Sequence, residues 1–151
     1  MDIYPASAQR QALLKLMPAL GCSDSALRRD DCGDPRIEGK QGHVYAVPGS
    51  TEEPKRPGFM ICVLAETSDG RTFERWTSQG WTYAKRALAF AKLTNDGDDE
   101  GSLFLDRMPS KAEAEVIRRY CGIRKRIDLS DESLTQLRER GRRLAEARRA
   151  A

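Results

Sequence analysis

Leu20-Gly21-Cys22-Ser23-Asp24-Ser25-Ala26-Leu27-Arg28-Arg29 is the stretch on which the reading of this chain turns. Just upstream, Leu13, Leu16, Met17 and Leu20 recur at helical spacing. They predict a helix over residues 8–20 with Ser7 as its N-cap. Pro18 falls late in that helix and tightens or kinks its last turn. Gly21 suits the position just past a helix, where the backbone turns left-handed. Ser23 then caps a second, short helix ending near Asp30 or Asp31. Helix, turn and second helix together outline a helix-turn-helix.

The next residues extend that outline. Arg36-Ile37-Glu38, the turn Gly39-Lys40-Gln41-Gly42 and the return His43 to Val47 read as a hairpin, which in this context is a wing. Residues 7–48 then form a winged helix-turn-helix. Ser23 and Ser25 donate to phosphate, Arg28 and Arg29 end the recognition helix, and Lys40 sits at the wing tip. Several residues speak against it. Met17 stands where such motifs want a small residue, and Asp30 where a second core contact is usual. Asp24, Asp30, Asp31 and Asp34 repel phosphate. A plain αα-hairpin capped by Ser23 fits the same residues.

Further along, Phe59 to Ala65 is a continuous apolar run, read as a strand buried on both faces. Ser68-Asp69-Gly70 is a turn, and Thr72 to Trp76 pairs back as another strand. A helix over 79–93 carries a broad apolar arc of Trp81, Tyr83, Ala84, Ala87, Leu88, Phe90 and Ala91, which marks it as the central core helix. Leu103-Phe104-Leu105 is a short strand. Ser110-Lys111-Ala112-Glu113 is a capping box opening a helix that stops at Gly122. Ser130 caps a last helix, with Asp131 and Glu132 complementing its dipole. Leu134, Leu137 and Leu144 line one side of it, and fraying is expected beyond Leu144. The expected fold is α+β: a small antiparallel sheet packed on a central helix, with flanking N- and C-terminal helices. Residues 1–128 form a single α+β domain, and 129–151 a C-terminal basic helix.

Charge is unevenly spread. The net charge is only +3, but residues 94–107 sum to −4 and residues 108–151 to +5. The basic cluster Arg124-Lys125-Arg126 follows Arg118-Arg119 and can bind phosphate. In the last helix Glu139 can pair with Arg143, and Arg142 with Glu146, so much of that surface is self-compensated. Asp96, Asp98, Asp99 and Glu100 form an acidic turn between glycines. It lacks the alternate spacing and distant bidentate glutamate of a calcium loop, and it reads as a solvated helix-to-strand turn whose carboxylates can pair with nearby arginines. Cys22, Cys32 and His43 lack the close pair and fourth ligand that zinc requires. Cys62, inside the apolar run, reads as a small core residue. Trp76 and Trp81 could stack a base but fit better as core anchors.

No phosphate-binding loop, dinucleotide fingerprint or catalytic triad pattern occurs. No catalytic, metal-binding or cofactor-binding residue is therefore assigned. The longest apolar run is too short to cross a bilayer, and the first residues do not have the pattern of a secretory leader. A cytoplasmic setting is expected. The leading expectation is a small non-enzymatic nucleic-acid-binding or regulatory protein, with duplex DNA as partner. Its site residues are Ser23, Ser25, Arg28, Arg29, Lys40, Arg124, Lys125 and Arg126. The alternative is a protein-interaction module docking through its C-terminal helix, with a metal-assisted enzyme a distant third.

Overall fold

The computed structural model describes residues 5–49, 56–65 and 78–151. The chain runs α1 (Ala6–Leu20), a 3-10 turn (Asp24–Ala26), β1 (Leu27–Arg29), β2 (Pro35–Glu38), β3 (Gly42–Val47) and β4 (Gly58–Val63). It continues with α2 (Ser78–Ala87), β5 (Lys92–Asp96), β6 (Gly101–Leu105), α3 (Lys111–Cys121) and α4 (Asp131–Ala150). The expected turn at Ser68–Gly70, the strand at Thr72–Trp76 and the ring of Trp76 lie outside the described residues.

The helix-turn-helix does not form. Residues 24–26 make one 3-10 turn, and Leu27-Arg28-Arg29 is extended and antiparallel to β2, Leu27 opposite Ile37 and Arg28 opposite Arg36. The reason is local. Between Ser23 and Asp31 only Ala26 and Leu27 are apolar, too few for the stripe a buried helix needs. Asp30 settles the matter. Its carboxylate accepts the N–H groups of Cys32 and Asp34, both at 2.9 Å, and Gly33 takes φ +89°. That closes a hairpin loop, and a hairpin requires a strand on each side. The hairpin of β2 and β3 is present, but it lies inside the sheet rather than projecting as a wing.

The six strands pair in the order β1-β2-β3-β4-β6-β5, every pair antiparallel. Burial alternates along β3 and β4: Val44, Ala46, Phe59, Ile61 and Val63 are buried, while His43, Tyr45, Met60 and Cys62 are only partly covered. The apolar run of β4 is therefore buried on one face, not two, and Cys62 stands on the other face. The buried side chains of the sheet join one cluster with those of the helices. Within it α1 packs on β2 and β3, and α3 packs on β3, β4 and α1. Trp81, Ala84, Leu88 and Ala91 belong to the same cluster. A Cβ on Gly101 would run into the Trp81 ring, so only glycine lets β6 pass beneath it.

Helix ends follow their local codes, with two exceptions. Ser7 is inside α1 rather than at its cap. Pro5, extended at ψ 139°, takes that position, and its carbonyl accepts from Ala8 and Gln9. The helix expected over 79–93 stops at Ala87, and residues 92–96 form the edge strand β5 instead. At α3 the capping box forms. Ser110 Oγ accepts from the Glu113 N–H, and the Glu113 carboxylate accepts from the Ser110 N–H at 3.0 Å and from Arg107 at 2.6 Å. Those contacts hold the Glu113 carboxyl down to about 2, the Arg107 bond contributing most. α4 runs to Ala150, built from the strong helix formers Ala, Arg and Glu, and Arg148 and Arg149 complement its C-terminal dipole. Among the described residues no helix is long and apolar enough to cross a membrane.

Candidate functional site

α1 and α3 end alike. Gly21 and Gly122 both take left-handed φ values, 61° and 65°, and the residue after each reaches back to its helix: Cys22 N–H to Met17 O and Ile123 N–H to Arg118 O. This double-ended closure satisfies carbonyls that a helix end otherwise leaves free. The two exits then run side by side. Cys22 and Lys125 form an antiparallel bridge, and the Arg126 N–H donates to Gly21 O at 2.7 Å.

The turn between β2 and β3 docks on the end of α3. The Lys40 N–H donates to Gly122 O at 3.1 Å and the Gln41 N–H to Cys121 O at 3.0 Å. Such an approach requires bare backbone. A Cβ at Gly39 would overlap the Cys121 carbonyl oxygen, and one at Gly122 would press on Lys40 at 3.2 Å, besides being strained at that φ.

The docking leaves a recess of about 280 Å³, lined by Ser25, Ala26, Arg28, Glu38, Gly39, Lys40, Gly122 and Arg124. Three cations from three separate parts of the chain stand around it. Arg28 is held by a bond of 3.4 Å from its Nε to Ser25 O. The single carboxylate, Glu38, is engaged by Arg36 at 3.3 Å. Among the described residues neither Arg28, Lys40 nor Arg124 forms an ion pair.

Of the eight residues expected to contact nucleic acid, the fold brings Ser25, Arg28, Lys40 and Arg124 together. Ser23 is at the margin, sharing a hydrogen bond of 3.1 Å with the Ser25 hydroxyl. Arg29 does not line the recess, because side chains alternate along β1 and its neighbour Arg28 takes the recess side. Lys125 and Arg126 border a different hollow, with Met17, Pro18, Cys22 and Asp24, and Arg126 pairs with Asp128 at 3.1 Å.

Sequence reading missed the partners of the recess on the sheet. Glu38 lies opposite His43 in the β2–β3 register. On β3, His43 and Tyr45 stack at a centroid distance of 6.0 Å and an interplanar angle of 30°. Burial, aided by Arg36, pushes the His43 imidazole below its ordinary value, so the ring is neutral near pH 7. Alternation along β3 was the available signal, since it sets His43 and Tyr45 on the face opposite Val44 and Ala46.

Two carboxylates of the acidic turn are engaged within the fold. Asp96 accepts from Trp81 Nε1 at 2.9 Å and Lys85 Nζ at 2.8 Å, and these two bonds, Lys85's first, lower its carboxyl. Glu100 accepts the Ala65 N–H at 3.1 Å. Trp81 is 1% exposed, a core anchor. Among the described residues no group of three or more His, Cys, Asp or Glu side chains is placed to hold a metal ion. In α4, Arg142 pairs with Glu146 at 3.9 Å, while Glu139 and Arg143 stay beyond ion-pair distance, and no residue of the helix is buried.

Comparison with known protein families, with curated proteins and with solved structures finds no match for this chain.

Proposed function

We propose that this chain is a small non-enzymatic nucleic-acid-binding protein that holds phosphate in the basic recess. One observation carries the reading: Arg28, Lys40 and Arg124, far apart in sequence, converge with the Ser25 hydroxyl on one concave site whose only carboxylate is already paired. Guanidinium and ammonium groups with a neighbouring hydroxyl are the donors that phosphate oxygens select. A cytoplasmic setting belongs to the same proposal.

The test is fluorescence anisotropy of a labelled mixed-sequence oligonucleotide, titrated across a salt series. Deleting one phosphate-binding cation should take about one unit from the slope of log K against log salt. Arg28→Ala, Lys40→Ala and Arg124→Ala combined should weaken binding and flatten that slope by about 2–3 units. Melting should barely change, because none of the three side chains is buried. Arg142→Ala with Arg143→Ala is the control and should leave the slope alone. A triple variant that binds like the parent, or a parent that fails to bind at low salt, sinks the reading.

A second reading has its own observation. α4 is twenty residues long and buries none of them, and Leu137 and Leu144 are 51% and 56% exposed. A protein partner covering Leu134, Leu137 and Leu144 would make α4 a docking helix.

A further inference from the structure

Resting on the nucleic-acid reading, we infer that the ligand is a single strand, its phosphate seated in the recess and its bases laid on the outer sheet face at His43 and Tyr45. Two features of the fold separate this from duplex binding. First, proteins that read a duplex insert a projecting helix or ribbon into a groove. Among the described residues, the segments that line this recess do not project. Residues 24–26 form a single turn, β1 is paired into the sheet, and the β2–β3 turn is tied down on α3 through Lys40 and Gln41. The cations line a hollow of about 280 Å³ rather than a ridge. A hollow accepts a group that can be turned into it, and a flexible single strand supplies one.

Second, the recess borders a stacking surface. Glu38 belongs to the wall, and His43 is its cross-strand neighbour on the same face of the sheet. Tyr45 follows two residues on and stacks with His43. Met60 and Cys62 continue the two rows on β4, opposite Tyr45 and His43. Aromatic side chains on a sheet, flanked by cations that track the backbone, are how proteins hold unpaired bases. The neutral imidazole and the phenol ring of Tyr45, both only partly covered, meet the first requirement, and Arg28, Lys40 and Arg124 meet the second.

The test compares a labelled twelve-nucleotide single-stranded DNA with the duplex of the same sequence, on the intact chain. The single strand should bind at least about tenfold tighter. Tyr45→Leu with His43→Leu keeps apolar bulk on the sheet. It should cut single-strand affinity about tenfold while leaving the salt slope unchanged, because stacking releases no counterions. Tyr45→Phe alone, which retains a ring, should bind like the parent, and a urea midpoint of the double variant close to the parent's checks that any loss is not misfolding. Equal or tighter binding of the duplex, or full affinity in the doubly substituted protein, overturns the single-strand inference while the phosphate reading stands. Failure of both oligonucleotides to bind the parent overturns the phosphate reading itself.

Discussion

The recess draws its three cations from residues 28, 40 and 124, whereas α4 carries six arginines within a single twenty-residue helix. Counted along the sequence, α4 is the more basic region. In the fold the two sets of charges are arranged differently. The arginines of α4 point in all directions around a helix that also holds four carboxylates, and one is paired with Glu146. Exposed charges spread this way are screened and individually weak. The recess cations are fewer, but backbone contacts between remote segments bring their residues around one hollow. Convergence, rather than the number of charges, makes an anion site.

The largest effect that could break this comparison comes from two glycines. Gly39 is pressed against the carbonyl of Cys121, so Gly39→Ala forces the β2–β3 turn off α3 and should cost about 1–3 kcal/mol. Phosphate binding should fall with it. Gly141 in α4 has nothing within 4 Å of its missing Cβ, so Gly141→Ala should be neutral or stabilise the helix by about 0.5–1 kcal/mol. Urea denaturation of both variants measures the contrast. Equal effects would mean that the recess is no more constrained than the solvated helix.

Parts of the recess were legible in the sequence, for a mistaken reason. In the sequence Ser25, Arg28 and Lys40 stand out as elements of a winged helix, and Arg124 as one of a basic run. Local codes hold where the chemistry is local: the capping box at Ser110 and Glu113, and the left-handed glycines at 21 and 122. What failed was the pairing of edge strands. β1 and β5 are both short and largely exposed, so neither has a strong period of two. Their signals were the loops beside them. Asp30 to Asp34 and Asn95 to Gly101 are acidic runs containing glycine, and both close hairpins. The docking of Gly39 on Gly122 joins segments more than eighty residues apart, and nothing local announces it.

Next in size is a pH effect carried by residues of the core and the sheet rather than by α4. Burial pushes the Cys62 thiol up to about 11, with Arg36 opposing. From pH 9 toward 11 the unfolded thiol ionises and the folded one does not, so stability should fall across that window, by up to about 2 kcal/mol. Cys62→Ala should lessen the decline, and the thiols of Cys121 and Cys22, which burial also pushes up, should carry the rest. The His43 shift acts at the other end, where its charged neighbours are Arg36, Glu38 and Asp30. Its folded value is depressed, so below about pH 6.5 the unfolded state takes up the proton first and stability should decrease as pH falls. His43→Gln should remove that slope. Arginines do not titrate in either window, so deleting α4 should change neither slope. Urea midpoints measured across pH would reveal a slope carried by α4 if the comparison is wrong.

The smallest expected effect is the loss of α4 itself. Ending the chain after Leu129 removes a helix of which no residue is buried. Its N-cap, the bond from the Ser133 N–H to Ser130 Oγ, and its Arg142–Glu146 pair are internal to the removed segment. Little of the core's stability therefore depends on it, and the loss should be within about 0.5 kcal/mol, as for other exposed sites. For a chain of this size that is a shift of about 1–2 °C in Tm. Calorimetry at two protein concentrations tests this directly. A larger drop, or a parent Tm that rises with concentration while the shortened chain's does not, would mean that Leu134, Leu137 and Leu144 are covered in solution by a second copy. In that case α4 would be the cohesive region of the molecule and its arginines the rim of an interface, which reverses the contrast drawn with the recess.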